Sequence, residues 1–156
     1  AINVPLIAAG GIIDGKSMLA AMILGADGVQ MGTRFVASKE SSAHENFKNM
    51  VLKAKEGDTR LTLKELTPVR MMKNKFYKEV EELYKSSPSK EQLLNKLGRG
   101  RAKLGMFEGD LEAGELEIGQ ASSQINKVFT AQEIIQQIVT EFNSIKSQIS
   151  LVNKFN

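Results

Sequence analysis

The residues of this chain best equipped for chemistry are two glycine-centred stretches. Gly10-Gly11 follow the apolar run from Pro5 to Ala9, and Gly32-Thr33 follow Val29 to Met31. Glycine has no side chain, so the backbone N–H groups of a turn built on it can come close to an anion. A helix that starts just beyond adds the positive end of its dipole, and the group such a turn suits is a phosphate. Other reactive groups are scarce. The chain has no cysteine, which removes disulfides, thiolate nucleophiles and cysteine-ligated metals. Its one histidine, His44, sits among charged residues where a helix begins, so a capping or solvated role suits it better than acid–base work. One histidine and scattered carboxylates show no metal-ligand spacing. Arg34, next to the second turn, reads equally well as a phosphate partner or as half of an ion pair.

The elements that hold these turns follow from the pattern around them. The two apolar runs read as strands, and a helical segment lies between Asp14 and Gly25, with an acceptor at its start and glycine at its end. Parallel strands joined by a helix cross over right-handedly, which puts both turns at the same, carboxyl end. In (β/α)8 barrels a phosphate site is commonly built from the loops after strands seven and eight with a short extra helix, and Thr33 to Ala37 can supply that helix. A dinucleotide-binding Rossmann unit is rejected: its G-x-G-x-x-G is absent, the glycines falling at 10, 11 and 15.

These residues carry a resemblance. AAGGI and DG before the helix, LGADGVQMGTRFVASKES after it, DTRLTLKELTPVRMMKNK, and the later Gly109-Asp110, Gly114 and Gly119-Gln120 resemble a known family over nearly the whole chain. It is the carboxyl-terminal part of the FMN-dependent family of enoyl-acyl-carrier-protein reductase II and nitronate monooxygenase, and the chain reads closer to the reductase branch. The resemblance implies an α/β fold: strands seven and eight of a (β/α)8 TIM barrel plus a mainly helical carboxyl-terminal extension. Residues 1–57 would form the last two β/α units, 58–128 the extension and a glycine-rich lid, and 129–156 a helix packing on the barrel. It also implies FMN as cofactor, its phosphate held by Gly10, Gly11, Gln30, Met31, Gly32 and Thr33. NADH or NADPH would be the co-substrate, an enoyl group on acyl carrier protein the substrate in fatty-acid synthesis, and a homodimer the assembly. No catalytic side chain is assigned within this chain. Nitronate oxidation by dioxygen is the second reading, and a non-catalytic phosphate-binding barrel fragment the third.

Composition bounds the rest. The 156 residues suffice for one domain with a core. The chain opens at Ala1 without methionine, almost on a core strand, which reads as a piece of a longer protein. No apolar run approaches the roughly 20 residues of a membrane span, and no signal pattern opens the chain, so membrane insertion is not expected and the cytoplasm is. A net charge of +3 and 6% aromatic residues give little reason to expect nucleic acid.

Further along, Ser42 is a candidate cap for a helix carrying Phe47, Met50, Val51 and Ala54, the expected eighth barrel helix. Thr59 to Leu66 alternates like an edge strand, and beyond Pro68 the spacing predicts helix from Val69 to Asn74 and from Phe76 to Tyr84. A short helix is expected over Glu91 to Leu97. Six glycines from Gly98 to Gly119 predict a long loop, which the resemblance folds back over the barrel mouth. Lys96, Arg99, Arg101 and Lys103 form a basic run, either a solvated loop or an attractor for pyrophosphate or an acidic protein. Finally Thr130 and Glu133 form a capping box ahead of a stripe of Ile134, Ile135, Ile138, Val139, Phe142, Ile145 and Ile149, and the last residues from Ser150 are expected to fray.

Overall fold

Two strands set the frame of the computed structural model, which describes residues 3–150; the tail expected to fray, 151–156, lies outside them. β1 (Ile7–Ala9) and β2 (Gly28–Gln30) pair in parallel, with Ile7 opposite Gly28 and Ala9 opposite Gln30. Between them runs α1 (Gly15–Ile23), capped at Asp14 by a reciprocal pair of hydrogen bonds with Ser17. Gly25 turns the chain back at a φ of 105°, which a side chain would strain. α2 (Thr33–Val36) is a single helical turn directly after β2. The expected α/β barrel segment is therefore present. Val4, Leu6 and Ile7 remain exposed along this two-stranded sheet, on faces that neighbouring strands and helices cover in a closed barrel.

The next elements are α3 (Glu45–Leu52), β3 (Thr59–Thr62), β4 (Val69–Met72), α4 (Lys75–Tyr84) and α5 (Lys90–Leu97). A π-helical turn (Lys103–Phe107), a 3-10 turn (Gln120–Gln124) and the long α6 (Ala131–Ser150) follow. Residues 69–72, expected to be helical, form a strand. β4 pairs antiparallel with β3, and on its other side Met72 N–H donates to Leu116 O at 2.9 Å and Ile118 N–H to Arg70 O at 3.1 Å. Being the middle strand of this small sheet, β4 has partners on both edges, which outweighs any local helical preference. Helix begins only at Lys75, after Asn74, whose side chain caps the N–H of Tyr77.

α3 does not take the eighth helix position. It packs chiefly against the π-helical and 3-10 turns, whereas α6 lies along α1 and touches α2. The approach is close at Gly15, where an added methyl would strike the α6 backbone at Ile138 and Phe142. Glu141 on α6 accepts the Gly15 N–H at 2.8 Å, supplementing Asp14 at the amino end of α1. α6, not α3, is thus the helix that packs beside α1, and residues 37–130 are an insertion between the short turn after β2 and that helix. The ends of the insertion meet, Lys39 N–H donating to Phe129 O at 2.9 Å and Ala131 N–H to Glu40 at 2.9 Å.

Of the α6 stripe, Ile134 and Ile138 are buried while Ile135, Val139 and Ile149 stay exposed. The buried side chains form two clusters. One holds Phe47, Val51, Leu116, Ile118 and Ile125 together with Ile13 from the first glycine turn, joining insertion to barrel. The other, with Leu63, Met71, Phe76, Val80 and Leu93, lies wholly inside the insertion.

Candidate phosphate site and adjoining cleft

Parallel pairing decides where the glycine turns stand. β1 ends into Gly10-Gly11 and β2 into Met31-Gly32-Thr33, at the same end of the sheet. Gly10 and Gly11 have φ of 90° and 74°, which only glycine adopts without strain, and nothing lies within 4 Å of a methyl built on either. Among the described residues no protein acceptor takes the N–H of Gly11, Gly32 or Thr33. Gly32 begins α2 without a side-chain cap. The Gln30 amide stands 3.9 Å from a methyl built at Gly32, and Met31 between them is half-buried. Two open turns with unpaired donors at one end of a sheet make an anion cradle. Beside it Asp14 is held below the usual carboxylate range: burial acts to raise it, and hydrogen bonds from Ser17 outweigh burial.

The long glycine-rich segment comes back onto this end. Gly119 N–H donates to the Thr33 hydroxyl at 3.1 Å, and a methyl at Gly119 would strike that hydroxyl. A cleft of about 630 Å³ opens between Gly11 on the barrel and Gly57, Thr59, Arg70, Gln120 and Gln124 on the insertion. Arg70 and Gln124 were not foreseen from the sequence. Reading the stretch after Pro68 as a helix hid the hairpin that carries Arg70, and Gln124 stands on the 3-10 turn that the glycine-rich segment leads into.

Other sequence candidates find structural roles. Among the described residues Arg34 pairs with no carboxylate. It donates to Gln137 at 3.1 Å and lies 5.6 Å over the Phe129 ring, tying α2 to α6, while its Nε is buried without a partner. The cap of α3 is His44, not Ser42: its Nδ1 accepts the Asn46 N–H at 3.1 Å. The imidazole also lies against Gly109, which leaves no room there for a side chain. Three of the four basic-run residues brace the insertion. Lys96 pairs with Glu79 at 2.6 Å and Lys103 with Glu108 at 3.0 Å. Arg101 stacks 4.5 Å over Phe76 and donates to Leu97 O and Ala113 O.

A parallel βαβ unit with two open glycine turns at its carboxyl end, packed against one further helix and roofed by an insertion, is a segment of a (β/α)8 barrel. The chain belongs to the nitronate monooxygenase family, whose sequence profile matches residues 1–141; its members are FMN-dependent oxidoreductases. A curated relative described as a probable nitronate monooxygenase, from Staphylococcus saprophyticus, is 36% identical over 152 residues, covering 94% of this chain and 41% of the relative. The structure of FabK from Thermotoga maritima matches with a TM-score of 0.85 at 38% identity, over 96% of this chain and 47% of that one. A nitroalkane oxidase from Streptomyces ansochromogenes matches with a TM-score of 0.73 at 28% identity, over 95% of this chain and 42% of that one. The chain thus spans less than half the length of these proteins. No helix among the described residues is long and apolar enough to cross a membrane.

Proposed function

We propose that this chain supplies the FMN-phosphate anchor and one wall of the substrate cleft in a flavoenzyme that reduces the double bond of an enoyl group carried on acyl carrier protein. The observation that carries this reading is the shared orientation of the two glycine turns, with the N–H groups of Gly11, Gly32 and Thr33 free of protein acceptors among the described residues. The open space at Gly10 and Gly11 fits a phosphate ester. When bound, FMN supplies the two-electron centre through which hydride from NADH or NADPH reaches the enoyl carbon.

The chain's own residues bind and shield. Backbone amides of Gly11, Gly32 and Thr33 receive the dianion, with Gly10 setting the turn and Gln30 and Met31 leading into it. The Thr33 hydroxyl has one proton to donate to the phosphate while it accepts from Gly119, so anchor and lid close on one atom. The insertion, seated by Ile13 in its core, forms the far wall of the cleft. No side chain of this chain is assigned the proton transfer. His44 is committed to its cap.

The likeness to FabK favours the reductase. Nitronate oxidation is the second reading, favoured by the family profile and by the curated relatives' descriptions. Mixing the FMN-loaded protein anaerobically with NADH or NADPH separates them. Rapid bleaching of the flavin, then recovery with an enoyl thioester, supports the reductase; bleaching by a nitronate alone supports the oxidase. Failure to retain any flavin removes both. The assembly proposed is a cytoplasmic homodimer, to be checked by light scattering of the flavin-loaded protein.

A further inference from the structure

We infer that Arg70 grips the phosphate of the reagent that comes to the flavin, as a second anion site in the cleft that begins at Gly11. This rests on the flavoenzyme reading above and names the group by which that site selects its ligand.

Arg70 sits in the middle strand of the insertion's sheet, so its backbone is fixed on both sides. Its side chain is half-buried and lines the cleft. Among the described residues only Nη1 finds partners, donating to Thr59 Oγ1 at 3.2 Å and more weakly to Thr59 O at 3.4 Å. No carboxylate comes within ion-pair distance of it among the described residues. Three of the other arginines are committed. Arg101 spends its donors on two carbonyls and a ring, Arg34 bridges to α6, and Arg60, though it lines the same cleft, interacts with Tyr77. Arg99 sits in the loop after α5, outside the cleft.

A guanidinium braced on one nitrogen presents the rest of its fork, the geometry that suits a phosphate. Glu56 is the one carboxylate among the residues lining the cleft, and the amides of Gln120 and Gln124 suit a polar, uncharged stretch beside the anionic group. The ligand class is a phosphate ester or diphosphate on a longer polar arm. Two reagents of the proposed reaction carry that group: the nicotinamide dinucleotide, and the phosphopantetheine arm that bears the enoyl thioester.

The experiment titrates inorganic pyrophosphate into the FMN-loaded protein by calorimetry, comparing the native protein with Arg70→Gln and Arg70→Lys. Arg70→Gln is expected to weaken pyrophosphate about ten- to a hundredfold, as loss of a charged hydrogen-bond partner does, with FMN retained. Failure of the native protein to bind pyrophosphate overturns the inference, as does native affinity in both variants. If Arg70→Gln does not fold, Arg70→Lys decides alone, unchanged affinity counting against a gripping fork. Two kinetic arms then identify the source. In Arg70→Gln, flavin reduction by NADH slows while that by phosphate-free 1-benzyl-1,4-dihydronicotinamide does not, if the dinucleotide is held. Reoxidation by an enoyl phosphopantetheine slows while that by an enoyl N-acetylcysteamine does not, if the thioester arm is held. Should flavin load but react with no such reagent, the assigned reaction fails while the pyrophosphate titration still judges Arg70.

Discussion

Replacing Thr33 by Val removes one hydroxyl from the point where lid and anchor meet while nearly keeping the side-chain shape. Two losses of different size follow. The half-buried Gly119 N–H loses its acceptor at 3.1 Å, which costs folding stability about 1 kcal/mol. The phosphate loses a hydrogen bond to a charged acceptor, worth about 1.5–3 kcal/mol, so FMN affinity should fall by roughly ten- to a hundredfold. The first is read as a lower melting temperature of the flavin-free protein, the second by titrating FMN and following quenching of its fluorescence. Thr33→Ser restores both groups and should recover most of the affinity. A lower melting temperature with unchanged FMN affinity would show that the hydroxyl serves the lid alone, and no change in either would refute the reasoning for both.

Further predictions concern the parts that hold this arrangement. Gly15→Ala drives a methyl into the α6 backbone, so overpacking should cost about 1–3 kcal/mol in urea unfolding and expose α6 to limited proteolysis. Asn74→Ala should cost about 2–4 kcal/mol in the same assay, since the side chain caps α4 and donates to Leu111 O, Glu112 O and Gly114 O. Asn74→Asp keeps the cap but faces three carbonyl oxygens, and should be no better; recovery of native stability would show that the cap alone matters. Glu115 is buried, and burial first and the nearby Glu117 second push its carboxyl up to about 7 from 4.5. The folded chain therefore keeps a proton that the unfolded chain releases. Stability is greatest below 4.5, falls as pH rises to about 7, and levels off above. Glu115→Gln should stabilise by up to about 3 kcal/mol at alkaline pH and by little near the unfolded value, seen as a flatter dependence of the urea midpoint on pH.

What could be read from the sequence was what short-range rules decide. Strand, glycine turn and Asp14-capped helix follow one another within thirty-odd residues, and each step is a local choice. The box at Thr130 was likewise visible. Errors arose where distant residues decide. Val69 to Met72 are a strand because β3 and residues 116–118 flank them, neither of which local periodicity can report. α3 and α6 carry similar amphipathic patterns, and only tertiary contacts such as that at Gly15 reveal which one packs beside α1. The cradle was legible because glycine writes it into the backbone. The far wall of the cleft was not, because Arg70 gains its place through tertiary pairing.

The late position of α6 in the chain has a consequence for biogenesis. β2 and its short turn emerge from the ribosome long before the helix that supports them, since all of residues 37–130 are translated in between. Contacts of such large sequence separation slow folding, and they tie the barrel wall to completion of the insertion. The insertion owns a hydrophobic cluster and abutting ends, so it can mature first and deliver α6 to its seat already aimed. Pulse-labelled nascent chains should therefore acquire protease resistance in the roof before the wall beneath it.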